Sequence, residues 1–330
     1  MLQAFHFEKP KCTRNLILEF TKKESLMNSP RILLFGRNGQ IGWHLCRTLA
    51  SLGDVTAVDY PDVDFSSADS IRIAMRSLRP TVVVNAAAYT AVDEAESRSD
   101  LAMAINGIAP GIIAEEAKRQ SSIVIHYSTD YVFDGTKPDH YVESDPPNPL
   151  SVYGRSKLAG DLAIQAAGCD HLIFRTSWVY GSRGKNFLLT MLRLAQQRPE
   201  LRIINDQIGA PTASDFIAQA TTAVLAQILS PGASKRIEGC SGIYNLTNSG
   251  ETSWFGFAEA LLNLAGAKMG LNVPRLLPIT TSEYPLPAKR PSNSRLSTRK
   301  VQDTFGILIP TWQDSLSHVM ERVVEQGLPA

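Results

Sequence analysis

A tyrosine and a lysine lie four positions apart in Tyr153-Gly-Arg-Ser-Lys157, downstream of Ser128-Thr129-Asp130. Residues at this spacing project from one face of a helix, so the ammonium group can lie beside the phenol and favour its ionised form. A phenol with an ordinary pKa of about 10 then becomes a usable proton donor near neutral pH. The spacing alone is weak evidence, because ordinary surface pairs on helices share it. Supporting elements must decide whether this pair performs acid catalysis.

A glycine-rich turn, Gly36-Arg-Asn-Gly39-Gln-Ile-Gly42, follows the apolar run 31–35 and precedes a helical pattern over 43–52. The glycines let the backbone bend towards a pyrophosphate, whose charge the amide groups at the helix N-terminus receive. A tight turn without a ligand is the alternative, but the position after a buried strand favours phosphate binding. The spacing Gly-x-x-Gly-x-x-Gly is typical of short-chain reductases, and it supports a nicotinamide-dependent carbonyl reductase.

Five apolar runs, at 31–35, 55–58, 81–85, 122–127 and 171–175, alternate with amphipathic stretches. Buried strands with helical crossovers predict an α/β fold, a Rossmann-like doubly wound parallel sheet with a smaller substrate-binding region. Such sheets bind ligands beyond the carboxyl ends of their strands, so polar residues at those ends are expected to converge. The residues concerned are Gly36, Asp59, Asn85 to Thr90, Ser128 to Asp130 and Arg175 to Trp178.

The pattern becomes less regular after residue 180, with helices expected near 186–197, 213–228 and 254–265 and a short strand at 202–204. We therefore expect a poorly ordered N-terminal extension over 1–28 and an NAD(P)-binding Rossmann-like domain over 29–180. Residues 181–330 are expected to form mainly the substrate-binding region, with some elements returning to the first domain.

Composition excludes several classes of function. The 330 residues are 44% hydrophobic and 20% charged, which describes a soluble globular protein. A net charge of +1 gives no electrostatic footprint for nucleic acid or a membrane surface, and no apolar run reaches the roughly 18 residues that span a bilayer. The four cysteines lie far apart, which argues against a zinc site or disulfide framework and fits a reducing cytoplasm. We expect a cytoplasmic protein.

Seven motifs occur in order between residues 31 and 325. They are Gly36-x-x-Gly-Gln-Ile-Gly-Trp43, Val84-Asn-Ala-Ala-Ala-Tyr-Thr-Ala-Val-Asp93, His126-Tyr-Ser-Thr-Asp-Tyr-Val-Phe-Asp-Gly135, Tyr153-Gly-x-x-Lys157, Phe174-Arg-Thr-Ser-Trp-Val-Tyr180, Asn205-Asp-Gln-x-Gly-Ala-Pro-Thr212 and Arg290-Pro-x-Asn-Ser-Arg-Leu296. In these motifs the sequence closely resembles the dTDP-4-dehydrorhamnose reductases, extended short-chain reductases that complete dTDP-L-rhamnose synthesis.

The resemblance implies NAD(P)H-dependent reduction of the C4 ketone of dTDP-4-dehydro-6-deoxy-L-mannose to dTDP-L-rhamnose. Tyr153 would donate a proton to the C4 oxygen, Lys157 would hold the nicotinamide ribose and tune Tyr153, and Thr129 would hydrogen-bond the reacting oxygen. Two hydroxyl donors suit the negative charge that develops on a carbonyl oxygen. The implied substrate-binding residues are Thr129, Asp130, Trp178, Asn186 and Arg290. Without the motifs, Thr129 would be read as a strand-end cap and Trp178 as core.

The implied cofactor-binding residues lie at the ends of the first three strands and at the catalytic pair. They are Gly36, Arg37, Gly39, Gln40, Ile41, Gly42, Asp59, Asp64, Phe65, Ala88, Tyr89, Thr90, Tyr153 and Lys157. Asp59 could accept a ribose hydroxyl, whereas Arg37 could pair with a 2′-phosphate, so NADPH is expected and NADH is the alternative. Asp64 and Phe65 could equally be a helix cap and its hydrophobic staple.

One departure from the family concerns magnesium. Members with a magnesium-linked dimer carry a glutamate where this chain has His44, and imidazole is a poor ligand for magnesium. Asp215 could match a second carboxylate of that site, but we interpret it as a helical surface aspartate. We therefore expect no bound metal, and either a monomer or a homodimer.

Two alternative functions remain open at this point. One is a non-catalytic regulatory subunit, like the relative of this family that accompanies methionine adenosyltransferase. The other is a reductase or epimerase acting on a different nucleotide sugar. Retention of Thr129, Tyr153, Lys157 and Trp178 together favours catalysis.

Overall fold

The computed structural model describes residues 29–229 and 237–327, so the predicted extension over 1–28 lies outside the described residues. The main sheet has six strands joined by parallel pairings. They are β1 (Arg31–Phe35), β2 (Asp54–Val58), β3 (Val82–Asn85), β4 (Ile123–Thr129), β5 (His171–Thr176) and β10 (Gly242–Asn245). The first five match the apolar runs of the sequence to within two residues.

The strand order is β10-β5-β4-β3-β1-β2, so the chain leaves β1 for one side of the sheet and returns to β3 on the other. The β1–β3 boundary is therefore the switch point of a doubly wound sheet, where ligands bind beyond the carboxyl ends of the strands. This order confirms the predicted fold class. The carboxyl ends of β1, β3, β4 and β5 bring the predicted site residues to one edge.

Helices cover both faces of this sheet. They are α1 (Gln40–Thr48), α2 (Ala68–Leu78), α3 (Val92–Ala95), α4 (Ser99–Met103), α5 (Ala109–Gln120), α6 (Val152–Ala167), α7 (Phe187–Gln197), α8 (Ser214–Leu229), α9 (Trp254–Met269), α10 (Arg299–Phe305) and α11 (Trp312–Gln326). Alternate residues of β1 enter different cores: Ile32 and Leu34 pack on one face, and Leu33 and Phe35 on the other. Strands buried on both faces explain the continuous apolar runs. No helix in the described part of the chain is long and apolar enough to cross a membrane.

The later half of the chain adds small strand pairs beside the main sheet. They are β6 (Val179–Tyr180) with β9 (Thr212–Ala213), β7 (Glu200–Ile204) with β12 (Arg275–Ile279), and β8 (Ile208–Gly209) with β11 (Thr252–Ser253). The sequence analysis did not identify β10, which returns from this half to extend the main sheet beside β5. The two halves are therefore joined by continuous hydrogen bonding through β5 and β10.

Candidate active site

The glycine turn lies at the carboxyl end of β1 and is packed tightly. Gly36 has a φ of +85°, and a Cβ there would lie 2.5 Å from the backbone nitrogen of Ala87. A Cβ on Gly42 would overlap the carbonyl oxygen of Gly36. Gly39 precedes α1 and provides no side-chain cap, so the first amide groups of the helix are available to an anion. These features fit the pyrophosphate of a dinucleotide.

Arg37 is part of this turn, and Asp59 directly follows β2 beside it. The Arg37 guanidinium donates to the carbonyl oxygen of Ala57 at 2.9 Å and pairs with Asp62 at 2.9 Å, with 42% of its side chain exposed. Asp59 accepts the backbone N–H of Asn38 at 2.9 Å. The structure thus brings Arg37 and Asp59 together where an adenosine ribose would lie beyond the pyrophosphate site.

Asp64 and Phe65 follow β2 and have different roles in the structure. Asp64 accepts the N–H and hydroxyl of Ser66, whereas the cap of α2 is Ser67, so the alternative reading of Asp64 as that cap is wrong. Phe65 is buried and its ring meets Phe35 edge to face, with centroids 5.4 Å apart. This ring anchors the segment to the core beneath β1.

The segment Ala88 to Thr90 is held by a residue that the sequence analysis missed. The side chain of Asn106, in a π-helical turn over Ala104–Ile108, accepts the Tyr89 N–H at 2.9 Å and donates to the Tyr89 carbonyl at 3.0 Å. Its amide also donates to Ser156 of α6 at 3.1 Å. Asn106 therefore joins the loop after β3 to the helix that carries Tyr153. An asparagine in an apolar helix was the available signal.

Helix α6 carries both Tyr153 and Lys157. Ser151 caps its first turn by accepting the Gly154 N–H at 3.1 Å. The ring of Tyr153 packs edge to face on Tyr131, with centroids 5.5 Å apart. Burial raises the pKa of Tyr153, and a hydrogen bond with the Thr129 side chain opposes that rise. The raised pKa contradicts the expectation that Lys157 favours the ionised phenol, because the Lys157 ammonium donates to the Tyr127 carbonyl instead. The phenol is a neutral donor placed beside Thr129.

Thr129 ends β4 next to this phenol, and Asp130 directly follows the strand. The Thr129 hydroxyl donates to Oδ1 of Asp130 at 3.0 Å and accepts the Tyr131 N–H at 3.2 Å, so Thr129 is also the strand-end cap. Asp130 is buried, which raises its pKa to about 6, and hydrogen bonds with the Ser294 and Thr129 side chains oppose that rise. Within residues 29–229 and 237–327, its Oδ2 has no partner at full hydrogen-bond distance. A buried carboxylate oxygen without a partner is suited to accept a ligand hydroxyl.

Lys157 lies one helical turn after Tyr153 and is almost fully buried. Its ammonium donates to the carbonyl oxygen of Tyr127 at 2.6 Å, and Nζ is 3.2 Å from Nε2 of His126. Burial lowers the pKa of Lys157 to about 8, and the charge of Asp161 opposes that change. A lysine with this pKa changes charge close to physiological pH.

Asp161, one turn beyond Lys157, was missed by the sequence analysis. It accepts from the Ser128 hydroxyl at 2.8 Å and pairs with Arg175 of β5 at 3.4 Å, and both charged groups are buried. Burial raises the pKa of Asp161. The spacing of four residues from Lys157 was a usable signal, because it places both on one face of α6.

Trp178 follows β5 in a conformation that only the structure reveals. Its φ is +48°, a left-handed value that is strained for a tryptophan, and such strain clusters at functional sites. Its ring stacks on Trp254 at a centroid distance of 3.7 Å, and a Cβ on Gly209 would lie 2.7 Å from it. Trp178 is half-buried, so it is not simply a core residue.

The side chains of Asn186 and Arg290 each form hydrogen bonds with other side chains of the protein. Asn186 caps α7, and its amide donates to Oε1 of Gln40 at 3.0 Å. Arg290 makes a bidentate pair with Asp93 at 3.1 and 2.6 Å. Gln40 begins α1 and Asp93 lies in α3, so both contacts connect the later half of the chain to helices of the first half. Neither is among the groups that contact Tyr153, Thr129 or Lys157 directly.

The interpretation of Asp215 as a surface residue is wrong. Asp215 is 8% exposed and pairs with Arg322 of α11 at 2.8 Å, which compensates the buried charge. His44 lies near this pair, and burial lowers its pKa. In the parts of the chain described here, no group of three histidine, cysteine, aspartate or glutamate side chains is arranged to hold a metal ion.

Comparisons with known proteins agree with this geometry. Residues 30–325 match the RmlD substrate binding domain family. The dTDP-4-dehydrorhamnose reductase of Burkholderia thailandensis is 46% identical over 299 residues, which are 90% of this chain and 100% of that protein.

Two solved structures have the same fold and cover 89% of this chain and 99% of their own. A dTDP-4-dehydrorhamnose reductase from Clostridium acetobutylicum is 34% identical with a TM-score of 0.81. The enzyme from Bacillus anthracis, solved in complex with NADP, is 31% identical with a TM-score of 0.81. The chain therefore belongs to the dTDP-4-dehydrorhamnose reductase family of oxidoreductases.

Proposed function

We propose that this chain reduces the C4 ketone of dTDP-4-dehydro-L-rhamnose to the alcohol of dTDP-L-rhamnose. The observation that carries the proposal is the Tyr153 phenol beside Thr129 at the carboxyl end of β4, with Lys157 one helical turn further along α6. Family membership supports the substrate, because relatives named for this reaction align over nearly their whole length.

The proposed roles follow from charge development at the carbonyl. NADPH, when bound, supplies a hydride to the C4 carbon, which leaves negative charge on the oxygen. Tyr153 donates its phenolic proton to that oxygen, while the Thr129 hydroxyl donates a hydrogen bond to it. The Lys157 ammonium stabilises the phenolate that remains and holds the ribose hydroxyls. In the structure the Thr129 hydroxyl donates its single proton to Asp130, so we propose that it turns this proton to the substrate oxygen while it still accepts the Tyr131 N–H.

The proposed partition places the cofactor on residues 29–180 and the sugar nucleotide mainly on residues 181–330. In this arrangement Trp178, stacked on Trp254, forms a flat apolar wall for the sugar, and the free oxygen of Asp130 accepts a sugar hydroxyl. Asn186 and Arg290 close the site by tying the two halves together through Gln40 and Asp93. We propose that both act on substrate binding through these ties.

NADPH is the proposed cofactor, with Arg37 as the residue that reads its 2′-phosphate. The guanidinium is half-exposed and already near the ribose position, although Asp62 pairs with it. We expect Arg37→Ala to lower kcat/KM for NADPH about tenfold while that for NADH changes little, because the pair with a phosphate contributes roughly 1–3 kcal/mol. Initial rates with both cofactors measure this ratio, and an unchanged ratio means that Arg37 does not read the phosphate.

The function is tested by initial rates of NADPH oxidation with dTDP-4-dehydro-L-rhamnose and with its UDP and GDP analogues. We expect the dTDP sugar to give the highest kcat/KM. Preference for another carrier would reassign the substrate within the same reaction. Turnover with none of the three, by protein that binds NADPH, would contradict the proposal and favour the non-catalytic alternative.

A further inference from the structure

A line of polar groups runs behind Lys157 through the middle of the sheet. Asn85 of β3 and His126 of β4 are register partners, both are buried, and Nδ2 of Asn85 lies 3.2 Å from Nδ1 of His126. On the other side of the ring, Nε2 lies 3.2 Å from Nζ of Lys157. The proposed reaction gives no role to Asn85 or His126.

The direction of these hydrogen bonds is set by a backbone amide. The N–H of Ala87 donates to the Asn85 side chain at 3.2 Å, and a backbone N–H can only donate, so the atom that faces it is oxygen. The amide nitrogen of Asn85 therefore faces Nδ1 of His126 and donates to it. A neutral imidazole that accepts at Nδ1 carries its proton on Nε2.

The Nε2–H of His126 consequently points at Nζ of Lys157. An ammonium group has no lone pair and cannot accept this bond, whereas a neutral amine can accept it and still donate to the Tyr127 carbonyl, 2.6 Å away. Every group in the line is satisfied only when Lys157 is neutral. Protonation of the His126 ring does not resolve this mismatch, because burial and the charge of Lys157 hold the pKa of His126 well below its usual value.

Other charges around Lys157 act on the same equilibrium. Asp161 lies on the same helix and favours the ammonium form, but Arg175 of β5 neutralises part of its charge. Tyr153, one turn earlier, is neutral. His126 is thus the polar side chain within hydrogen-bond distance of Nζ, and its bond direction opposes Asp161.

We propose that Asn85 and His126 are positioning residues that set the pH at which the Lys157 ammonium loses its proton. They do so by presenting the Nε2–H of His126 to Nζ of Lys157. The inference rests on the proposed role of Lys157 beside Tyr153. It explains why a polar pair is buried between apolar strands. The ammonium form, which the proposed reaction uses, is then held close to its titration point.

Asn85→Asp tests this proposal because it keeps the shape of the side chain at position 85. It reverses the direction of the hydrogen bonds that run from this side chain through His126 to Lys157. One carboxylate oxygen still accepts the Ala87 N–H, and the other accepts from Nδ1, so the ring proton moves to Nδ1. Nε2 then accepts from the ammonium. We expect the pH midpoint of the Lys157 ¹³Cε resonance, and the basic limb of kcat/KM, to rise by about one unit or more.

Asn248→Asp is the matched control for a buried carboxylate. Asn248 is also buried and also accepts a backbone N–H, from Ala213 at 2.9 Å, but its amide nitrogen donates to Ser315 of α11. We expect the Lys157 midpoint to stay at its wild-type value in this variant. An equal rise in both variants would contradict a specific role of the Asn85–His126 pair.

Nitrogen NMR of the wild-type histidine rings decides the question even if Asn85→Asp does not fold. We expect His126 to be neutral with its proton on Nε2, and a proton on Nδ1 would overturn the proposal. So would an unchanged Lys157 midpoint in folded Asn85→Asp. These resonances do not depend on turnover, so they remain decisive if Tyr153→Phe keeps full activity and the proposed reaction fails instead.

Discussion

Tyr153→Phe is expected to lower kcat by about a hundredfold to ten-thousandfold, the usual contribution of a general acid. The phenylalanine ring keeps the edge-to-face contact with Tyr131, so the fold and the NADPH dissociation constant should change little. Stopped-flow or steady-state NADPH oxidation measures the rate, and fluorescence titration measures cofactor binding.

Tyr180→Phe is the control for this substitution. The Tyr180 hydroxyl is buried and has no hydrogen-bond partner in the described ranges of the chain, so its removal leaves the site intact. We expect wild-type kcat from Tyr180→Phe. A kcat for Tyr153→Phe within a few-fold of that value would show that another group protonates the substrate.

Lys157→Met is expected to damage two steps. Loss of the ammonium removes a donor to the ribose hydroxyls, which raises the NADPH dissociation constant, and removes the charge that stabilises the Tyr153 phenolate, which lowers kcat by roughly a hundredfold or more. Because the folded pKa is lowered to about 8, the ammonium is present below that pH and is lost above it. Wild-type kcat/KM should therefore fall as the pH rises through about 8.

Lys118→Met is the matched control for the loss of a lysine. Lys118 of α5 also donates to a backbone carbonyl, that of Gly168 at 2.6 Å, but Gly168 follows the carboxyl end of α6, away from Tyr153 at its start. We expect its kcat and NADPH affinity to match the wild type. If Lys157→Met alters neither quantity, the dual role of Lys157 is wrong.

The fold could be predicted because its strands are buried on both faces. That burial produces the apolar runs at β1, β3, β4 and β5, whereas the edge strand β2 is only partly buried, and the glycines mark the turn after β1. Strand β10 escaped notice because Gly242-Ile-Tyr-Asn245 is short and pairs only through β5, a contact far away in sequence. Local patterns carry no information about such a partner.

The candidate site residues could be predicted where a sequence motif identifies them. Contacts between residues that are far apart in the sequence could not be predicted. Thr129 and Tyr153 lie side by side, at the carboxyl end of β4 and the start of α6, whereas the Lys157 ammonium lies on the Tyr127 carbonyl. The left-handed backbone of Trp178 could not be foreseen, since it depends on packing against Gly209 and Trp254. Asp215 was misread because its compensating partner, Arg322, lies about a hundred residues away.

The central claim is tested most directly by following the hydrogen that reaches the sugar. NADPH carrying deuterium at both C4 positions of its nicotinamide would be incubated with dTDP-4-dehydro-L-rhamnose, and the product analysed by mass spectrometry and NMR. We predict one deuterium at C4 of dTDP-L-rhamnose in ordinary water, and none at C4 when unlabelled NADPH is used in deuterated water. A product without deuterium from the cofactor, or label at C4 from solvent, would contradict hydride transfer to the C4 ketone.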